Sequence, residues 1–123
     1  MVATSPKSRK AKGREFQNVV RDQIMDCLGM DEKDILSAPM GHSGPDLILS
    51  AKGVKEFPFS VEIKRQENIS LGPWIAQAKA NAEELGLPML LIFRKNRGES
   101  YAVLRWNDML NLVKLIKREL KSI

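Results

Sequence analysis

This 123-residue chain predicts an α/β fold in which helices flank a mixed central sheet. Three observations predict it. Apolar residues recur at helical spacing in three separate stretches. Between those stretches lie short runs in which β-branched, aromatic and leucine side chains alternate with polar ones or fill the run. Glycine and proline punctuate the boundaries. In order, the chain reads as one helix, three strands, a helix, two strands and a last helix, which implies a sheet with helices packed against it.

Residues 1–12 are polar, contain Pro6 and lack periodicity, so they are expected to form a flexible arm, with residues 13–123 as a single domain. From Gly13 to Gly29 the pattern is helical. Phe16, Val19, Val20, Ile24, Cys27 and Leu28 share a face, and Gly29 is placed to end the helix. A short strand at 35–38 and a glycine-rich loop at 40–45 follow. Residues 46–51 and 57–65 read as the two strands of a hairpin, with 52–56 as its turn. In the second strand Phe57, Phe59, Val61 and Ile63 alternate with Pro58, Ser60, Glu62 and Lys64. A period of two puts Glu62 and Lys64 on one face, opposite the core. Leu71 to Leu85 is the second helix, with Pro73 in its first turn, Gly86 beyond its end, and Trp74, Ala78, Ala82 and Leu85 as its buried stripe. Met89 to Arg94 is a strand, 96–99 a turn and 101–105 its antiparallel partner. Asn107 or Asp108 caps the last helix, whose buried stripe is Met109, Leu112, Val113, Ile116 and Leu120.

Hydrophobic residues make up 43% of the chain, enough for a core without disulfides. The single cysteine, Cys27, has no intramolecular partner, which predicts a reducing, cytoplasmic setting and a small buried side chain. No apolar run is long enough to span a membrane, and nothing at the N-terminus reads as a secretory signal, so no membrane partner is expected. The net charge is +5. Its distribution says more, because Lys7, Arg9, Lys10, Lys12 and Arg14 lie together with no acid among the first fourteen residues, and the remaining bases balance the acids. A neutral body with a basic arm predicts contact with a polyanion. A merely solvated tail has the same composition.

One pattern suggests chemistry: Pro45-Asp46, then fifteen residues, then Glu62-Ile63-Lys64. Hairpin pairing would bring Asp46 beside Glu62, so that both carboxylates reach one ion. A hard cation such as Mg²⁺, with Mn²⁺ as a substitute, takes such oxygens together with water and substrate phosphate. The carbonyl of Ile63 lies between them as a further donor. The Lys64 ammonium could offset charge on a scissile phosphate or orient the attacking water. The same residues are also ordinary on the wet face of a hairpin. The apolar flanks, Leu47-Ile48-Leu49 and Phe59 with Val61, instead describe interior strands, where a charge demands a reason.

Four segments together resemble the PD-(D/E)xK nuclease superfamily, and within it the small archaeal and phage-type Holliday junction resolvases. They are Gly13-Arg14-Glu15-Phe16, His42-Ser43-Gly44-Pro45-Asp46, Val61-Glu62-Ile63-Lys64 and the helix carrying Gln77. The resemblance covers about residues 12–97. It implies a restriction-endonuclease-like αβββαβ core and metal-dependent hydrolysis of DNA. It further implies that Glu15, Asp46 and Glu62 bind Mg²⁺, that Lys64 assists catalysis, that Gln77 contacts substrate or places water, and that Ser43 sits near the scissile phosphate. A homodimer cutting four-way junctions in pairs, in DNA recombination and repair within a microbial or phage-infected cytoplasm, follows from the same resemblance. Lys7, Arg9, Lys10, Lys12 and Arg14, with His42, are then the DNA-binding residues. The Gly-Pro-Asp loop with its His42 departs from the usual resolvase pattern, and residues 65–68 are not diagnostic of it. Two other readings therefore stand beside it: a VRR-type or restriction-like nuclease cutting flaps, single strands or duplex, and a non-catalytic DNA-binding module.

Overall fold

Helix α1 spans Pro6–Leu28 in the computed structural model, which describes residues 6–122. It therefore starts seven residues before the expected Gly13. The cause lies in residues that periodicity does not detect. Pro6 suits a first helical position, and Lys7, Arg9, Lys10, Ala11 and Lys12 are good helix formers that bury no apolar face. From Pro6 onward the expected flexible arm is thus helical, and residues 1–5 lie outside the described residues. Phe16 and Val20 are buried. Val19, Cys27 and Leu28 are exposed, so the buried stripe is narrower than expected and Cys27 is a surface thiol.

After a 3-10 turn at Glu32–Asp34, strands β1 (Ile35–Ser37) and β2 (Leu47–Leu49) pair antiparallel, with Ile35 opposite Leu49. The expected hairpin of 46–51 with 57–65 does not form. Ser50 caps a short helix, α2 (Ala51–Glu56), by accepting from the Gly53 N–H at 2.9 Å, and this helix replaces the turn. Strand β3 (Ser60–Arg65) then runs parallel to β4 (Met89–Arg94), and β4 pairs antiparallel with β5 (Tyr101–Val103). A parallel pair needs a crossover, which α3 (Leu71–Leu85) supplies. The mixed three-stranded sheet flanked by helices is the fold class the sequence predicts.

The sheet separates two cores. On one face Phe16 and Val20 of α1 meet Val61, Ile63 and Leu90. On the other, Trp74, Ala78 and Ala82 of α3 meet Met89 and Leu91. Gly86 ends α3 in the left-handed region (φ 66°), donating back to Ala82 and Glu83, while Leu85 stays outside the stripe. Helix α4 (Trp106–Lys121) starts one residue before the expected cap, with Arg105 at the cap position. Its expected buried stripe is not buried: none of its residues is, and Met109, Val113, Ile116 and Leu120 face solvent. Among the described residues no helix is long and apolar enough to cross a membrane.

Candidate active site

Asp46 is fixed by four hydrogen bonds that tie three elements together. It leaves a loop in which Gly41 (φ 77°) and Gly44 (φ 115°) take backbone conformations that side chains resist, and it enters β2 directly. Its N–H donates to the Val61 carbonyl at 2.9 Å. Its carbonyl accepts from the Ala38 N–H and from Gln17 Nε2, each at 2.9 Å. Its carboxylate Oδ2 accepts the Ile63 N–H at 2.7 Å. The carboxylate thus stands where a neighbouring strand would have offered a carbonyl. The juxtaposition expected from a hairpin is achieved through a side chain instead.

Glu62 is 1% exposed, on a strand whose first four residues are all buried. It faces α3, not water, because the face expected to be wet is covered by that helix. Asn81 Nδ2 donates to Glu62 Oε1 at 2.5 Å. Burial pushes the Glu62 carboxyl up from its ordinary 4.5 to about 7, the Asp46 charge adds to the rise, and Asn81 and Lys64 oppose it. Burial also raises Asp46, against the Ile63 N–H, the Lys64 charge and a hydrogen bond with Glu62. Two carboxylates share a desolvated site with one lysine nearby, so the site is short of positive charge. Hard oxygen donors, burial and that deficit fit a divalent cation, with Asp46 and Glu62 as the residues to hold it.

Replacing Asn81 with Ala is expected to push the Glu62 carboxyl further above about 7. It removes a hydrogen bond to the charged form that is worth about 1.5–3 kcal/mol. Carboxyl NMR titration of Glu62 reads this directly, and an unmoved titration would show that the bond carries no weight.

The other expected residues are distributed unevenly. Gln77 is exposed, one turn before Asn81 on the same helix, and it is Asn81 that reaches the site. Asn81 had a legible signal, as a polar residue inside the spacing of Trp74, Ala78, Ala82 and Leu85. Gln17 had none beyond its place on the first helix. Among the described residues no three His, Cys, Asp or Glu side chains cluster as candidate metal ligands, so Glu15 is not grouped with Asp46 and Glu62. Glu15 instead lines a groove of about 650 Å³ with Lys7, Lys10 and Arg14. That groove shares Arg14, Asn18 and Met40 with a cleft of about 340 Å³ containing Gln17, His42 and Asp46. The two form a path from the basic start of α1 to Asp46. Ser43 is an exposed residue of the intervening loop, and Arg9 and Lys12 do not line the groove.

The profile of the family described as "Phage putative PDDEXK endonuclease" matches residues 8–122. Among curated protein sequences none is significantly similar to the chain. Among solved structures, Hjc of Archaeoglobus fulgidus, a Holliday junction resolvase from an archaeal hyperthermophile, superposes with a TM-score of 0.51 at 13% identity, over 76% of this chain and 72% of that one. At that identity the likeness is one of fold, and the fold is restriction-endonuclease-like. With the family profile covering nearly the whole described chain, this protein belongs to the phage PDDEXK endonuclease family of the PD-(D/E)xK nuclease superfamily.

Proposed function

We propose that the chain is a Mg²⁺-dependent, structure-selective DNA endonuclease that resolves four-way junctions as a homodimer. The observation that carries the nuclease reading is the pair of desolvated carboxylates, Asp46 and Glu62, with Lys64 nearby; of the three, Asp46 also lines the cleft that adjoins the basic groove. The resolvase reading is supported by the likeness of fold to a structure described as such an enzyme. Asp46 and Glu62 would hold the ion, which when bound polarises a phosphate and lowers the pKa of water. The chain's own residues do the rest. Gln17 and the Ile63 N–H hold Asp46 in place. Asn81 keeps Glu62 oriented and favours its ionised form. Lys64 supplies a cation against charge that develops on the phosphate. A four-way junction has two-fold symmetry and needs two cuts, whereas the described residues of one chain form one such site, so the reading requires an isologous dimer.

Lys7, Lys10 and Arg14 would carry the DNA backbone along the groove, with His42 near its end. Replacing all three with Ala is expected to weaken binding to every DNA alike. The slope of log affinity against log salt should become shallower by about one for each residue that contacts a phosphate. An unchanged slope would show that the groove is idle.

Substrate choice is tested by a panel at equal enzyme concentration: immobile four-way junction, flap, single strand and duplex. Paired, symmetric nicks near the branch point of the junction are expected. Equal cutting of duplex would keep the nuclease and remove the resolvase.

A further inference from the structure

Helix α4 leaves an apolar face without cover. Trp106 is 72% exposed, Ile116 59% and Leu120 66%, and no residue of this 16-residue helix is buried. The face has a defined pattern. Trp106, Met109, Val113, Ile116 and Leu120 alternate at steps of three and four, which is the seam of a helix that packs on another helix. Leu110 and Leu112 widen it, while Asn111, Lys114, Arg118 and Lys121 fall on the other side. The body of the chain supplies no partner helix, because α1 and α3 already spend Phe16, Val20, Trp74, Ala78 and Ala82 on the sheet.

We infer that α4 is a self-association surface, pairing antiparallel with α4 of a second copy. The seam is self-complementary in that direction. Met109 falls opposite Leu120 of the second copy, and Val113 opposite Ile116. The same alignment sets the two helix dipoles in opposition. A parallel pair aligns the dipoles. Helices of this length are about 24 Å long, and such a pair buries on the order of 1,000 Å² in total, at the lower limit for a specific interface. A dimer that forms at micromolar concentration is the expected consequence.

The surface also lies apart from the proposed active site. Asp46 abuts β3, at one edge of the three-stranded sheet, and α4 leaves from β5, at the other. The start of α4 therefore lies across the sheet from Asp46. The inference deepens the homodimer of the proposed function and rests on it for its purpose, but its test reads mass, not cleavage, so either can fail alone.

Sedimentation of the full chain from about 1 to about 100 μM should show a concentration-dependent doubling of mass. The Val113→Glu/Ile116→Glu variant should stay at single mass with an unchanged far-UV spectrum, since both positions are exposed. A wild type that stays monomeric, or a variant that dimerises as tightly, overturns the inference. A second measurement keeps the fold intact. In a Cys27→Ser background, Met109→Cys protein mixed with Leu120→Cys protein should cross-link as a heterodimer on oxidation, and neither should cross-link alone. Self-cross-linking of Met109→Cys, or no cross-link in the mixture, overturns the antiparallel pairing.

Discussion

Glu62→Gln is expected to lower cleavage by about a thousandfold while leaving metal-free DNA binding in place. It should at the same time make the metal-free protein more stable above pH 7. The two effects have one cause. Glu62 is buried and its pKa is raised from 4.5 to about 7, so the folded state binds a proton that the unfolded state releases. Between about 4.5 and about 7 the unfolded chain holds fewer protons than the folded one, and stability falls as pH rises. Above that window the full cost of a buried charge beside Asp46 is present. Glutamine removes the charge and keeps an oxygen for Asn81 to donate to. A rise in Tm of about 5–10 °C at pH 8, shrinking toward pH 4, is the expected result. Asp46→Asn should abolish cleavage in the same way, because the amide oxygen can still accept the Ile63 N–H but brings no charge. Equal Tm values for wild type and Glu62→Gln at every pH would contradict this account of the pair.

The second large effect is the pH dependence of metal binding. Both carboxylates must be ionised to hold a cation, and burial keeps a proton on the pair up to about pH 7. Apparent affinity for Mg²⁺ should therefore rise about tenfold per pH unit up to about 7 and flatten above it, with about one proton released per ion bound. Calorimetry in buffers of different ionisation enthalpy measures both quantities. An affinity that is constant from about pH 5.5 to 8 would place Glu62 outside the metal site or show it already ionised.

Much of the fold is legible in the sequence because its signals are local. Helix α3 falls at Leu71–Leu85, bounded by Pro73 near its start and Gly86 past its end, and β4 falls at Met89–Arg94 as a run of apolar residues. The errors also have local causes. Apolar spacing could not detect the first turns of α1, which present lysines to solvent and bury nothing. Residues 52–56 resemble a turn because of Gly53, yet the hydroxyl of Ser50 caps them into a helix. The stripe of α4 was correctly seen as apolar, but a pattern says only that a face seeks cover, not which chain supplies it.

The candidate site was legible in type and less so in geometry. Asp46, Glu62 and Lys64 are grouped by their flanks, and the structure brings Asp46 and Glu62 together. It does so through a carboxylate that caps the Ile63 N–H, an arrangement no periodicity encodes. Asn81 and Gln17 were missed because they act through hydrogen bonds that span some twenty to thirty residues of chain. Glu15 was drawn in by resemblance, whereas the structure sets it on the basic groove.

The most direct test is cleavage of a labelled four-way junction by the wild-type protein with Mg²⁺, beside the wild type in chelator and the Asp46→Asn variant with Mg²⁺. Metal-dependent nicks from the wild type, absent in both controls, are the predicted result. Tight binding of the junction without cutting in Mg²⁺ or Mn²⁺, or equal cutting by Asp46→Asn, would contradict a nuclease site built on Asp46 and Glu62.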